Sequence, residues 1–353
     1  MQLGKLWGLR RISDDAGYFM MVALDQRHPM LESIARAKRA AIEAVRFADM
    51  LDAKRLIVES LGSQATALLV DPNYGIPASI EHMSPRGGLA VTLEDHRFEE
   101  GPQGRKSRTI KNWSVAKIRA LGADAVKALV WYRPDAGADV VAHQKSFVES
   151  IGTECRRHDI AFILELLVYP LRRRGPDGGG YAEAHEKTPE LVVESVRDFA
   201  DARFGVDLFK LESPVAASNL APREGSPEER TAQAWFDEIG DICRRAERPW
   251  VMLSAGVDFQ TFSRVLDYAY AAGASGFLAG RAIWRDAIEH CVDTVEATRA
   301  LLASDAQRLK RLCERTRAHA SAWRPDYSGL GVLRAEGDFA RSYDPEAIGF
   351  RVE

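Results

Sequence analysis

Eight short apolar runs, each followed by a helix-length amphipathic stretch or a long connection, constrain this 353-residue chain more than any other feature. The runs fall at 18–24 (YFMMVAL), 65–70, 88–91, 123–132, 160–167, within 203–215, at 250–253 and at 275–279. Between and after them, apolar residues recur at three- and four-residue steps, predicting helices over 36–61, 113–121, 140–158, 189–202, 227–246 and 259–272. Long amphipathic helices follow to about residue 322, then an irregular tail. Strands that are apolar along their whole length are buried on both faces, which is the signature of a parallel sheet covered by helices. Eight such units closing on themselves give a single (β/α)8 TIM-barrel domain, with the barrel at about 18–285 and a C-terminal helical extension and tail over 286–353. An open doubly wound sheet needs a Gly-rich phosphate loop after the first strand, and D-Q-R-H-P stands there instead. The polar segment 93–107, rich in Gly, Arg and Glu, reads as a mobile excursion from the repeat.

Composition narrows the function class. With 46% hydrophobic residues, 28% charged and a net charge of −3, the chain has ample apolar material for a core and no concentrated basic tract to hold nucleic acid. No apolar run approaches membrane-spanning length, and the N-terminus lacks the apolar core of a signal peptide. Cys155, Cys243, Cys291 and Cys313 lie far apart, without the pairing of a zinc site or a disulfide framework, so a reducing cytoplasm is the expected compartment. The eight histidines show no H-x-x-x-H or H-x-H spacing, so no metal site is expected.

Against that apolar background, charges inside strands stand out. In a (β/α)8 barrel the chemistry sits at the C-terminal ends of the strands. The polar residues reaching those ends are Asp25 (followed by Gln26 and Arg27), Asp71, Lys127, Glu165, Lys210, Ser254 and Arg281. Lys210 interrupts the run F-G-V-D-L-F-K-L; taken alone it also reads as a lysine snorkelling to solvent or paired with Glu212. Lys127 and Glu165 repeat the anomaly on the two preceding strands. Adjacent strands run about 4.7–4.9 Å apart, so the three side chains are expected within mutual reach at the barrel mouth. Desolvation and a neighbouring cation both favour a neutral amine, and a neutral lysine attacks carbonyls to form a Schiff base. A plain salt-bridge network is the alternative for the trio. The stretch Ser254-Ala255-Gly256, with Gly280-Arg281 beyond it, suits an oxyanion held by backbone N–H groups and a guanidinium.

The segments V-A-L-D-Q-R, L-L-V-D-P-N-Y-G, L-G-A-D-A-V-K-A-L-V-W-Y, I-G-T-E-C-R-R-H-D-I-A-F-I-L-E-L-L-V-Y, R-F-G-V-D-L-F-K-L-E-S-P-V, L-S-A-G-V and A-A-G-A-S-G-F-L-A-G-R-A-I-W resemble, in the same order, the tagatose-1,6-bisphosphate aldolase family of class I aldolases. The resemblance implies a cofactor-free enzyme that splits a ketose phosphate into dihydroxyacetone phosphate and an aldehyde such as glyceraldehyde 3-phosphate, working as a homo-oligomer. It implies Lys210 as the Schiff-base lysine, Glu165 as the general acid/base, and Lys127 as the cation that lowers the pKa of the nucleophile. Asp25 would meet the substrate hydroxyl beside the bond that breaks. Gln26, Arg27 and Asp71 would contact substrate, and Ser254, Ala255, Gly256, Gly280 and Arg281 the phosphate.

The chain departs from the family pattern in the triple arginine Arg172-Arg173-Arg174 after the fifth strand, and in its long C-terminal extension. Arginines beside the mouth would grip the far anionic end of the substrate, and they would suit a sulfonate as well as a phosphate. This keeps 6-deoxy-6-sulfofructose 1-phosphate beside tagatose 1,6-bisphosphate as a substrate. A carbon-transferring transaldolase on the same lysine and a sugar-phosphate sensor without turnover are the readings from other classes.

Overall fold

A computed structural model of the chain describes residues 2–171, 188–290, 295–324 and Tyr343. Arg172, Arg173 and Arg174, Cys291 and most of the tail lie outside the described residues. Ten strands appear in chain order: β1 (Phe19–Leu24), β2 (Ala67–Val70), β3 (Gly88–Thr92), β4 (Glu99–Gly101), β5 (Gly104–Lys106), β6 (Ala125–Trp131), β7 (Ala161–Leu167), β8 (Leu208–Leu211), β9 (Trp250–Met252) and β10 (Gly276–Ala279). Eight of them close a barrel in the order β1-β10-β9-β8-β7-β6-β3-β2, and β4 and β5 pair with each other outside it. Every barrel pair is parallel, including the closing contact of Val22 with Ala279 and of Met21 with Ala67. All eight expected strands are present, and the closed TIM barrel is the fold.

Side chains alternate between the two faces of each strand. Met20, Val22 and Leu24 face the helices, while Phe19, Met21 and Ala23 face inward with Leu69, Ala90, Ala125, Ala161, Ile163, Leu208, Val251 and Leu278. The lower barrel is therefore a dry plug. The helix Leu3–Ile12, not anticipated from the sequence, closes this end by adding Leu9 and Ile12 to the plug. Asp159 caps it, accepting from the Gly4 and Lys5 amides at 2.8 and 3.0 Å.

Two sequence expectations are corrected. The helix predicted over 36–61 is two helices, His28–Lys38 and Phe47–Leu61, joined by a 3-10 turn at Ile42–Ala44. Arg39 adopts a left-handed φ of 49° and ends the first helix, returning its N–H to the carbonyls of Ala35 and Arg36. Ala41, Val45, Ala48 and Leu51, which suggested one continuous apolar face, are exposed or half-buried; Met50, Ala53, Leu56, Ile57 and Leu61 form the buried stripe. The segment 93–107 is not a bare excursion: it contains the antiparallel β4–β5 hairpin, with Arg105 buried. Among the described residues, no helix is long and apolar enough to cross a membrane.

Candidate active site

The same alternation that fills the plug also carries the charges. On β6 the inward positions run Ala125, Lys127, Leu129; on β7 they run Ala161, Ile163, Glu165; on β8 they run Leu208, Lys210. Strand register sets Leu129 beside Glu165 and Glu165 beside Lys210. Lys127 starts one inward position lower and spans the difference with its stem. One carboxylate oxygen, Glu165 Oε2, lies 2.8 Å from both Lys210 Nζ and Lys127 Nζ.

Lys127 is the more heavily held of the two lysines. Its ammonium also donates to Asp25 Oδ2 at 2.7 Å and to Glu94 Oε1 at 2.9 Å, so three carboxylates lie within ion-pair distance of it. Burial opposes its charge, but Asp25, Glu165 and Glu94 together hold the ammonium well above the ordinary lysine range. Burial likewise pushes Asp25 and Glu165 upward, and the charges of Lys127 and Lys210 overcome it, leaving both below the usual carboxylate range. Lys127 is thus a fixed cation. Of the three carboxylates around Lys127, Glu165 and Asp25 were expected at the mouth and Glu94 was not.

Glu94 is the residue that sequence reasoning missed. It follows β3 by two positions, so it continues the inward row of Ala90 and Thr92. Its Oε2 accepts from Thr92 Oγ1 at 2.5 Å, and its backbone carbonyl accepts from Arg27 Nη2 at 3.0 Å. The period-two signal was there in T-L-E, hidden by treating 93–107 as loop. His96 and Phe98, further along the segment, also line the cavity. Burial, and next the charge of Arg27, push His96 down to about 4, so its imidazole is neutral near pH 7. The hairpin is pinned by Arg105, whose guanidinium lies 4.4, 4.8 and 4.9 Å from the ring centres of Phe98, Trp131 and Tyr169.

A cavity opens above these groups. Asp25, Gln26, Arg27, Lys127, Glu165 and Lys210 line one part, and Ser254, Ala255, Gly280 and Arg281 another. Ala255 and Gly256 are consecutive left-handed residues, with φ of 49° and 82°. At Gly256 the left-handed φ disfavours a side chain, and a Cβ would lie 2.9 Å from the Arg281 guanidinium carbon, so the arginine would have to shift. Arg285 donates to the Gly256 carbonyl at 2.7 Å and fixes the turn against the helix Arg281–Glu289.

Asp71 does not join this group and is corrected from the substrate contacts. It is fully buried, away from the cavity lining. Its oxygens accept from the amides of Asn73, Tyr74 and Gly75 at 2.9, 2.8 and 3.1 Å and pair with Lys54 at 2.7 Å. A strand-end aspartate followed by P-N-Y-G is here a turn cap, the commonest local use of Asp. Among the described residues, no three His, Cys, Asp or Glu side chains are grouped to hold a metal ion.

Known proteins match this arrangement along most of the chain. The family model described as DeoC/LacD family aldolase matches residues 19–286, the whole barrel. The tagatose 1,6-diphosphate aldolase of Listeria innocua serovar 6a is 35% identical over 291 residues, 81% of this chain and 83% of that protein. Tagatose 1,6-diphosphate aldolase 1 of Streptococcus mutans is 29% identical over 320 residues, 90% of this chain and 96% of its own length. Among solved structures, a Plasmodium falciparum fructose-bisphosphate aldolase superposes with a TM-score of 0.62 at 12% identity, covering 90% of this chain and 95% of that one. A Schiff-base-forming fructose-1,6-bisphosphate aldolase does so with a TM-score of 0.52 at 17% identity, covering 84% and 97%. At these identities the solved structures speak for the fold, and the sequence matches speak for the lineage. With the barrel closed, the charged residues of β6, β7 and β8 gathered at its mouth and the match running from β1 past β10, the chain belongs to the DeoC/LacD aldolase family.

Proposed function

We propose that Lys210 is the Schiff-base nucleophile of this aldolase and that its substrate is tagatose 1,6-bisphosphate. The observation that carries the reading is the shared oxygen: Glu165 Oε2 stands 2.8 Å from two lysine ammoniums, one of which is fixed as a cation by two further carboxylates. Attack on a carbonyl needs a neutral amine, and Glu165 is placed to take the proton from Lys210. The amine adds to the C2 ketone, and Glu165 returns the proton to the carbinolamine oxygen, which leaves as water. Asp25 then accepts the proton of the C4 hydroxyl as the C3–C4 bond breaks. The bonding pair passes into the iminium, giving an enamine on Lys210 and a free aldehyde. Protonation at C3 and addition of water release dihydroxyacetone phosphate and restore the lysine.

In this reading Ser254, Ala255, Gly256, Gly280 and Arg281 hold the phosphate next to the ketone, and Gln26 and Arg27 contact the aldehyde half beside Asp25. The substrate assignment is supported by the names of relatives that share most of their length with this chain. The test is borohydride trapping with dihydroxyacetone phosphate followed by peptide mass mapping. An adduct on Lys210 is expected; an adduct on Lys127 exchanges the two lysine roles, and no adduct on folded protein overturns the Schiff-base reading. Tagatose 1,6-bisphosphate is expected to be cleaved with a higher kcat/KM than 6-deoxy-6-sulfofructose 1-phosphate, and the reverse order overturns the substrate.

A further inference from the structure

Lys54 is a fully buried cation on the inward face of the helix Phe47–Leu61, two residues before Leu56 and three before Ile57. An apolar residue would fill that face as its neighbours do. Burying an ammonium is costly unless each of its donors is met, and such ion pairs are often replaceable by apolar residues without loss of stability. Here each donor is met, and two of the three acceptors are backbone. Nζ donates to the carbonyl of Leu24 and, at 3.0 Å, to the carbonyl of Gln26, the residues on either side of Asp25. The third bond, at 2.7 Å, goes to Asp71. Asp71 is in turn tied to three amides of the turn after β2. The ammonium thus clamps the strand end that carries Asp25 to the end of the neighbouring strand, from outside the cavity.

We infer that Lys54 is a positioning residue for carbon–carbon bond cleavage, setting Asp25 through the two carbonyls that flank it. The inference rests on the proposed role of Asp25 and separates two halves of the reaction. Schiff-base formation uses Lys210 and Glu165, on β8 and β7, which Lys54 does not touch; bond cleavage uses Asp25, which it holds on both sides. A displacement of about 1 Å at a reacting group costs on the order of 100-fold.

The experiment uses Lys54→Met/Asp71→Asn, which removes the buried cation without leaving a bare carboxylate and keeps an acceptor for the turn amides. The cleavage rate is expected to fall about 100-fold more than the rate of borohydride trapping on Lys210 by dihydroxyacetone phosphate. A second measurement is a cycle with Asp25→Asn: if Lys54 acts through Asp25, the Lys54→Met/Asp71→Asn pair costs cleavage little once Asp25 is already gone. Equal losses in cleavage and trapping, no loss in either, or additive losses in the cycle overturn the inference. Failure of the wild-type protein to form an adduct on Lys210 strikes instead at the Schiff-base reading beneath it.

Discussion

The barrel buries lysine–carboxylate pairs at both ends, and they are built differently. At the base, Lys5 reaches Asp207 at 2.6 Å and the Gly205 carbonyl at 3.3 Å, and Asp207 also accepts from the Phe162 amide at 2.9 Å. One cation meets one anion, backbone completes both, and the plug of Leu9 and Ile12 seals the barrel interior above the base. At the mouth, two ammoniums share one oxygen of Glu165, three carboxylates surround Lys127, and the whole group faces an open cavity. Burial of charge is common to both ends, so burial alone does not mark chemistry. What distinguishes the mouth is one carboxylate oxygen shared between two lysines, next to space for a ligand.

That contrast predicts a graded series. Lys210→Met is expected to reduce turnover by at least about 10⁴-fold, as loss of a nucleophile does, and to abolish borohydride trapping; trapping at full rate would erase the distinction between the two ends. Glu165→Gln keeps the shape of the shared acceptor but cannot carry a proton, and a loss of about 10²–10⁴-fold in kcat is expected from steady-state assays. Arg281→Ala removes a charged donor from the phosphate side, so KM for the ketose bisphosphate is expected to rise by about 10–100-fold, with a smaller change in kcat. At the base, Lys5→Met strands the Asp207 carboxylate; it is expected to cost about 3–5 kcal/mol in denaturant unfolding while kcat per folded molecule stays unchanged. A fall in kcat there would show that the base and the mouth are coupled.

Acid titration sharpens the same comparison. Asp25 and Glu165 have folded-state pKa values below their unfolded ones, so the folded protein binds fewer protons and their contribution to stability is complete above the ordinary carboxylate range near 4. It is lost as the pH falls from there through the depressed folded values. Lys127→Met removes the largest of the charges that depress them, so the pH dependence of its unfolding free energy is expected to flatten over this acid limb. An unchanged slope would mean that Lys127 does not hold these carboxylates.

The fold was legible because its signal is redundant: eight separate apolar runs each specify a doubly buried strand, and a boundary error of one or two residues, as at 65–70 against Ala67–Val70, does not disturb the count. Lys127, Glu165 and Lys210 were legible because a charge inside an apolar run is an exception that needs a reason. Glu94 and Lys54 were hidden for opposite reasons. Glu94 lies among other polar residues just past a strand end, where one more carboxylate carries no contrast. Lys54 lies on a helix, where lysine is ordinary, and only the packing of Phe47–Leu61 against the strand ends shows that this one faces inward. Asp71 misled because a strand-end aspartate looks the same whether it faces a ligand or caps a turn.

Arg105 stacks on Phe98, Trp131 and Tyr169, and Phe98 and His96 supply cavity wall from outside the βα repeat. The charged groups of the mouth stand on barrel strands and their ends, whose spacing is fixed by hydrogen bonding around the ring. Part of the cavity wall stands on the segment of the β4–β5 hairpin, whose strands pair with each other outside that ring. Reactive charge and cavity shape thus rest on different parts of the chain, and a substitution at Phe98 or His96 is expected to reshape the wall while Lys127 and Lys210 stay where β6 and β8 hold them.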